Sequence, residues 1–277
     1  MPYFQSFDNQ SIFFTEHKGT SKEILVFLHG WTSSQVYYQQ LVKPLKEFNL
    51  YFWDARSHGK SFVDPAGTIA KMARDLDVFL TKLSGKGPIT VVGHSMGALT
   101  LFEYVGQFGT KNIQRAVIVD QSPKLVTDST WDLGIYGNYP EERNQEFIQL
   151  FLEDLGLGVI RLGTCGLNLE YNKLFLTHPE FFYDRKRTFS LEQTKAQVKI
   201  WESLTAADYR NVLSRITVPT LLLYGEKSQY YKRETALYMK EKITDSRLCF
   251  FPKGDHSPFV QEQEEFTRQI REFISEG

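Results

Sequence analysis

Eight short apolar runs, separated by turn residues and helix-like stretches, restrict the fold of this sequence more than any other feature. The runs cover residues 3–7, 11–17, 24–29, 50–54, 89–94, 116–120, 220–225 and 248–252. The last six are almost continuously apolar, which is typical of strands buried on both faces of a parallel sheet. Stretches with apolar residues every three or four positions favour helices at 69–83, 96–108, 233–243 and 259–274. This alternation predicts a doubly wound, mostly parallel eight-stranded sheet in the α/β class.

The first two runs differ from the later ones because a hairpin turn joins them. Asp8 and Asn9 separate residues 3–7 from residues 11–17, and this pair of residues suits a tight turn between antiparallel strands. The sequence therefore predicts an antiparallel start to a sheet whose later strands are parallel.

Residues 124–215 interrupt the alternation of strands and helices. No strand-like run occurs in this interval, whereas amphipathic segments such as EERNQEFIQLFLEDLG and LEQTKAQVKIWESL indicate several helices. We interpret the interval as a helical cap inserted over the carboxyl edge of the sheet, with residues 1–123 and 216–277 forming the core. A separate helical domain is the alternative, although the chain returns to the run at 220–225 without a linker.

Composition argues against two classes of partner. A formal net charge of −1 with 23% charged residues gives no basic surface for nucleic acid or for an anionic membrane. The first residues show no basic segment followed by an apolar one, and no run of about 18 apolar residues occurs. We therefore expect a cytoplasmic protein with no membrane or nucleic-acid partner, while its oligomeric state stays open.

Neither a metal nor a nucleotide cofactor is expected. Cys165 and Cys249 lie far apart, with no CxxC spacing and no histidine cluster. Two reduced thiols are therefore predicted instead of a zinc site or a disulfide. The sequence also contains no GxxxxGK or GxGxxG motif, the patterns that bind the phosphates of nucleotides.

The segment Gly93-His94-Ser95-Met96-Gly97 joins a buried strand-like run to a helix-like run. Small residues on both sides of a serine relieve crowding in a sharp strand-to-helix turn, which projects the serine oxygen from the end of the sheet. The start of the helix also favours negative charge nearby. This context predicts that Ser95 is a nucleophile, whereas a helix-capping serine is the alternative.

A serine nucleophile needs a general base, and six histidines are candidates. His256 follows the last strand-like run and precedes the final helix, a position from which a histidine can reach Ser95. His94 is expected to pack or hydrogen-bond within the turn, and His29 is expected to shape a loop. Surface or structural roles are expected for the others, which are His17, His58 and His178.

The negative oxygen that forms during attack on a carbonyl requires preorganised N–H donors. The backbone N–H of Met96, directly after the proposed nucleophile, is expected to supply one. The backbone N–H of Trp31, in the turn after the third strand, is expected to supply the other. The side chains of Trp31, His94 and Trp131 are expected to contact the substrate, and packing within the protein is the alternative for Trp31.

Four motifs together resemble one known family. They are HGW at 29–31, DARSHGKS at 54–61, GHSMGA at 93–98 and GDHSPF at 254–259. In order and spacing they resemble the α/β-hydrolase superfamily over essentially the whole chain. The resemblance implies the α/β-hydrolase fold, and it implies that Asp54, Arg56 and Gly59 shape a loop near the site without taking part in catalysis.

The family's catalytic acid most often lies three positions after the glycine that ends the seventh strand, where this chain has Ser228. A serine cannot supply the charge, so Asp120, at the end of AVIVD, and Glu226 are the candidates. Small esterases of the abhydrolase-11 type place the acid after the sixth strand and pair VDxSP with a GxxS-aromatic stretch. This chain has VDQSP and GEKSQYY, so the resemblance favours Asp120 and leaves Glu226 as the alternative.

The predicted activity is that of a serine esterase or thioesterase acting on a small-molecule ester. Ser95 would attack the carbonyl carbon, His256 would transfer the proton, and Asp120 would orient His256. Aromatic and leucine side chains in the cap favour an apolar or aromatic substrate group. A cofactor-free dioxygenase, a haloperoxidase-like perhydrolase and a ligand-binding protein on the same fold are the alternatives.

Overall fold

The structure is a computed structural model that describes residues 2–276 and contains one eight-stranded sheet. Its strands are β1 (Tyr3–Gln5), β2 (Ser11–His17), β3 (Ile24–Leu28), β4 (Asn49–Trp53), β5 (Ile89–His94), β6 (Arg115–Val119), β7 (Thr220–Gly225) and β8 (Ser246–Phe251). Their order is β1-β2-β4-β3-β5-β6-β7-β8, with β2 antiparallel to β1 and β4 and the other neighbouring strands parallel. The predicted sheet is confirmed, including its antiparallel start.

Helices cover both faces of the sheet and fill the long interval between β6 and β7. They are α1 (Ile69–Leu83), α2 (Met96–Phe108), α3 (Glu141–Glu153), α4 (Leu155–Thr164), α5 (Leu169–Thr177), α6 (Glu180–Tyr183), α7 (Leu191–Thr205), α8 (Arg233–Lys242), α9 (Pro258–Gln261) and α10 (Gln263–Ser275). Short 3-10 helices cover Gln35–Leu41, Ile135–Gly137 and Leu213–Arg215. The prediction of a single helix at 259–274 is wrong, because Glu262 has non-helical backbone angles (φ −126°, ψ 51°) and separates α9 from α10.

The inner strands are buried along their length and mostly apolar because both faces of the sheet are covered. In β3, Ile24, Val26 and Leu28 belong to the same apolar cluster as α1 and α2. Leu25 and Phe27 belong to a second cluster with the first 3-10 helix and α10. Successive side chains of a strand point to opposite faces, so a strand that is covered on both sides is apolar at every position.

The helices between β6 and β7 pack over the turn that follows β3. Trp31 in this turn contacts Phe151 of α3 and Trp201 of α7, with ring centroids 4.9 and 4.6 Å apart respectively. The indole N–H of Trp31 donates to the carbonyl oxygen of Gln197 in α7 (3.0 Å). The turn that carries a predicted oxyanion donor is therefore fixed directly to these helices.

The extent of the cap as a domain stays a prediction. Helices α3 to α7 lie within the interval 124–215, and none of its residues belongs to the eight-stranded sheet. The predicted core, residues 1–123 and 216–277, includes residues 1 and 277, which lie outside the described residues. Within 2–276, every helix is too short or too polar to cross a membrane.

The loop after β4 is held by a fully buried guanidinium group. Arg56 donates to both carboxylate oxygens of Asp75 in α1 (2.7 Å each) and to Asp64 (2.6 Å). Asp54 accepts two backbone N–H groups. Gly59 has a φ of 53°, and a Cβ at this position would lie 2.1 Å from the Asp54 carboxyl group. The structural hydrogen bonds and the turn expected for this loop are therefore present.

Replacing Arg56 by methionine should destabilise the protein strongly. The substitution leaves the buried Asp75 carboxylate without its partner, and breaking a buried ion pair in this way lowers the free energy of unfolding by about 3–5 kcal/mol. Urea denaturation would measure the change. The matched control is Arg268→Met, because Arg268 also pairs with two carboxylates but lies on the surface, where the loss should be much smaller. Equal losses for the two variants would contradict this role of Arg56.

Candidate active site

Ser95 lies in a strained turn between β5 and α2. Its backbone angles (φ 54°, ψ −122°) are ones that residues other than glycine rarely adopt. Two glycines allow the turn to form. A Cβ on Gly93 would lie 2.7 Å from Ala98 Cα, and a Cβ on Gly97 would lie 2.1 Å from the Leu28 carbonyl oxygen. The elbow predicted from the sequence therefore has the expected backbone geometry.

Two backbone N–H groups near Ser95 have no hydrogen-bond acceptor among residues 2–276. They belong to Trp31 and Met96, the two residues predicted to stabilise an oxyanion. Gly30 permits the close approach of the two turns, since a Cβ there would lie 3.2 Å from Ser95 Cβ. The next N–H along the chain, that of Thr32, instead donates to His58 Nε2 (3.1 Å). The groups of Trp31 and Met96 are therefore free to donate to a substrate oxygen.

Two buried histidines shape the turn that contains Trp31. His29 Nδ1 donates to the Gly30 carbonyl oxygen (2.8 Å), and its Nε2 accepts the N–H of Ala55 (3.1 Å). His58 accepts from Thr32 through Nε2 and donates to the Arg56 carbonyl oxygen through Nδ1 (2.9 Å). Burial lowers the pKa of both imidazoles, so each is neutral and has one donor and one acceptor. These bonds fit the loop-shaping role predicted for His29.

His256 lies in the loop between β8 and α9 and faces the same cavity as Ser95. Its Nδ1 is 2.7 Å from Oδ2 of Asp120, and its backbone N–H donates to the side-chain oxygen of Gln229 (3.0 Å). Burial lowers the pKa of the imidazole, and the nearby Asp255 carboxylate offsets only part of this effect. With the Nδ1 proton directed at Asp120, Nε2 is the basic nitrogen.

Asp120 follows β6 with a left-handed backbone (φ 45°), and its side chain is completely buried. Its Oδ2 accepts from His256 and from the hydroxyl of Ser228 (2.6 Å), and its Oδ1 accepts the N–H of Gly225 (3.3 Å). Burial raises the pKa of the carboxyl group, and the bonds from Ser228 and Gly225 oppose that rise. The carboxylate is therefore held by three donors, one of which is the candidate base.

The alternative acid lies elsewhere. Glu226 is exposed, and its carboxylate pairs with the guanidinium of Arg233 (2.6 Å) on the surface. The structure therefore brings His256 together with Asp120 and leaves Glu226 in an ion pair outside the site.

A cavity of about 960 Å³ connects Ser95 and His256 to the helices above the sheet. Three charged side chains, those of Arg185, Arg187 and Asp255, line part of it. Apolar side chains from the core and from α4 and α7 line much of the remainder, among them Leu99, Leu125, Ile135, Val159, Leu162 and Leu204. The space above Ser95 can therefore hold an apolar group of a small molecule.

The three predicted substrate contacts have different outcomes. Trp31 and His94 line the cavity, and His94 Nε2 donates to the His256 carbonyl oxygen (2.9 Å). Trp131, by contrast, is buried and does not line the cavity, so the structure gives no support to the predicted substrate contact. Its indole N–H donates to the Lys124 carbonyl oxygen (2.9 Å), and its ring packs against Tyr238. Trp131 therefore packs the start of the interval 124–215 against α8.

Sequence reasoning missed the contribution of two residues between β7 and α8. The Ser228 hydroxyl contacts Asp120, and the Gln229 side chain bridges the His256 N–H and the Asp255 carboxylate. The stretch GEKSQYY identified this segment as the usual place of the acid. Its polar side chains could not be assigned to Asp120 and His256 without the distances between these loops.

Comparisons with known proteins agree with this architecture. A family profile described as the alpha/beta hydrolase fold matches residues 23–263. The pimeloyl-(acyl-carrier protein) methyl ester esterase of Photobacterium profundum is 28% identical over 265 residues, which cover 94% of this chain and 96% of that protein. A non-heme chloroperoxidase of Kitasatospora aureofaciens is 25% identical and covers 99% of this chain and 100% of its own length.

Among solved structures, an esterase from Exiguobacterium antarcticum is similar to this chain. It superposes with a TM-score of 0.81 at 22% identity, covering 99% of this chain and 98% of that chain. At this level of identity the likeness shows a shared fold.

Asp120→Asn should lower ester turnover by roughly ten-thousand-fold, as removal of the charge does in a serine-histidine-aspartate triad. An asparagine that accepts from Ser228 and Gly225 cannot stabilise a charged His256 in the same way. The matched variant Glu226→Gln alters an exposed ion pair and should leave turnover nearly unchanged. Steady-state kinetics on one ester would measure both, and a reversal of the two effects would exclude Asp120 as the acid.

Proposed function

Because the chain belongs to the α/β-hydrolase family, we propose that it is a serine hydrolase that cleaves carboxylic esters or thioesters through an acyl-enzyme. The observation that carries this proposal is the hydrogen bond between His256 Nδ1 and Asp120 Oδ2 (2.7 Å) in a cavity that also contains the strained Ser95. Relatives named as esterases support ester cleavage in preference to the other chemistries that this fold hosts.

In the first half of the reaction, Ser95 Oγ would attack the carbonyl carbon while His256 Nε2 takes the hydroxyl proton. The carbonyl oxygen then carries negative charge, and the free N–H groups of Trp31 and Met96 would donate to it. Asp120 would stabilise the protonated imidazole. Collapse of the intermediate breaks the bond to the alcohol or thiol, which leaves with the proton from His256.

In the second half, water would release the acid. The water oxygen would attack the acyl carbon while His256 Nε2 takes a proton from the water. The same N–H groups would again bind the oxyanion. Collapse then returns the proton to Ser95 Oγ and frees the carboxylic acid. The cycle consumes one ester and one water and needs neither a metal nor a redox cofactor.

The cavity favours small substrates that are largely apolar. The leucine, isoleucine and valine side chains over Ser95 suit an aliphatic or aromatic group. We infer that the substrate is a free small molecule in the cytoplasm. We also infer that the protein has no nucleic-acid or membrane partner. The unpaired thiols of Cys165 and Cys249 support that location, since disulfides are rare there.

Perhydrolysis is the second candidate, because a non-heme chloroperoxidase is among the relatives. Hydrogen peroxide would replace water as the attacker of the acyl group on Ser95, and the product would be a peracid. The peracid would leave the protein and oxidise halide in solution. Bromination that requires both acetate and peroxide and disappears in Ser95→Ala would support this activity.

The proposal predicts hydrolysis of short-to-medium p-nitrophenyl esters by the wild-type protein and loss of this turnover in Ser95→Ala. The mutant keeps the volume and backbone of the turn but has no oxygen to attack the carbonyl. Initial rates across acyl chain lengths would also measure how much of the cavity an acyl group uses, with circular dichroism as a folding control. Equal turnover by both proteins would contradict serine catalysis, and oxygen uptake with heteroaromatic substrates would then test the dioxygenase alternative.

A further inference from the structure

Ser228 occupies the position where the family most often has its catalytic acid, and its hydroxyl points at Asp120, the acid proposed for this chain. The residue is 4% exposed, and Oγ lies 2.6 Å from Asp120 Oδ2. The same carboxylate oxygen is 2.7 Å from His256 Nδ1. Ser228 is therefore next to the atom through which Asp120 and His256 interact.

The hydrogen bonds of Ser228 fix the direction in which its hydroxyl donates. Its oxygen accepts the backbone N–H groups of both Tyr230 and Tyr231 (3.2 Å each). A serine hydroxyl has two acceptor lone pairs and one proton, so these two bonds occupy its acceptor capacity. The remaining proton can only be donated, and Asp120 Oδ2 is its acceptor.

This geometry suits an ionised Asp120 and disfavours a protonated one. The hydroxyl of Ser228, the N–H of Gly225 and Nδ1 of His256 all donate to the carboxylate. A proton on Asp120 would have only His256 Nδ1, in its other tautomer, as an acceptor, because Ser228 and Gly225 both present donors. Because the carboxylate is fully buried, removing one donor destabilises the charged form far more than it would in water.

We propose that Ser228 is a positioning residue that keeps Asp120 ionised and directed at His256. The proposal rests on the proposed function, because the acid and base it refers to are those of the hydrolase. This chain has a serine where most family members have an aspartate. The hydroxyl of that serine, Ser228, therefore donates to Asp120 from the position that the usual carboxylate would occupy.

The titratable groups that face Asp120 determine how the test is interpreted. His256 contacts it directly, and burial, with a smaller contribution from the charge of Asp120, raises the pKa values of Tyr224, Tyr230 and Tyr231. The three tyrosines are neutral throughout the acid range. The acid limb of a pH–rate profile therefore reports the pair formed by Asp120 and His256.

The experiment compares wild type, Ser228→Ala and Ser228→Thr by kcat/KM for one p-nitrophenyl ester between pH 5 and 10. Loss of a charge-assisted hydrogen bond should lower kcat/KM of Ser228→Ala roughly tenfold to a hundredfold near neutral pH. It should also move the acid limb to higher pH by about one unit or more, because a carboxylate that has lost a hydrogen-bond donor binds a proton more tightly. Ser228→Thr keeps the hydroxyl and should return the acid limb toward wild type.

Thr220→Val is the matched control. Thr220 is buried at the opposite end of β7, and its hydroxyl donates to the Val218 carbonyl oxygen (2.9 Å). Loss of this hydroxyl removes a buried hydrogen bond far from the carboxylate, so the position of the acid limb should not change. A uniform loss at every pH in Ser228→Ala, or equal acid limbs in the alanine and threonine variants, would overturn the proposal.

A second readout does not depend on ester turnover. The ¹³C carboxyl signal of Asp120, assigned by its loss in Asp120→Asn, should titrate at higher pH in Ser228→Ala than in wild type. An unchanged titration would overturn the role of Ser228 even if esters are hydrolysed. A shifted titration in a protein without esterase activity would instead support the hydrogen bond and count against the proposed function.

Discussion

A carboxylate that is cut off from water stays charged only where hydrogen-bond donors surround it, and the candidate site is organised around this requirement. Asp120 is completely buried and receives bonds from Gly225, Ser228 and His256. The three donors come from the end of β7, the loop after β7 and the loop after β8. By holding the Nδ1 proton of His256, the carboxylate leaves Nε2 as the basic nitrogen in the cavity that contains Ser95.

The parallel sheet supplies the frame in which these loops meet. Its inner strands run in one direction, so the residues that follow β3, β5, β6, β7 and β8 gather at one edge. Close approach there requires glycine, since a Cβ on Gly30 or Gly97 would press against Ser95 or the Leu28 backbone. Trp31 then joins this edge to α3 and α7 above it. The turns at this edge of the sheet therefore also contribute to the shape of the cavity.

Much of this arrangement could be predicted from the sequence, because strand burial and the serine turn leave local patterns. The continuous apolar runs predicted the sheet, and the glycines around Ser95 predicted its turn. Contacts between distant segments leave no such pattern. Trp131 was expected to contact substrate because it is an aromatic residue in the cap. Its indole N–H instead donates to the Lys124 carbonyl oxygen, and its ring packs against Tyr238. The role of Ser228 likewise depends on a hydroxyl-to-carboxylate distance that spacing alone does not provide.

Ser95 is proposed to be an activated nucleophile, and covalent labelling tests this claim most directly. A fluorophosphonate reacts with a serine oxygen only when a base removes the proton and N–H donors stabilise the charged phosphoryl oxygen. Intact-mass measurement followed by peptide mapping would locate the adduct in wild type and in His256→Ala. We expect one adduct per chain, on Ser95, and very slow labelling of the variant. An unlabelled wild type, or an adduct on another residue, would contradict the claim.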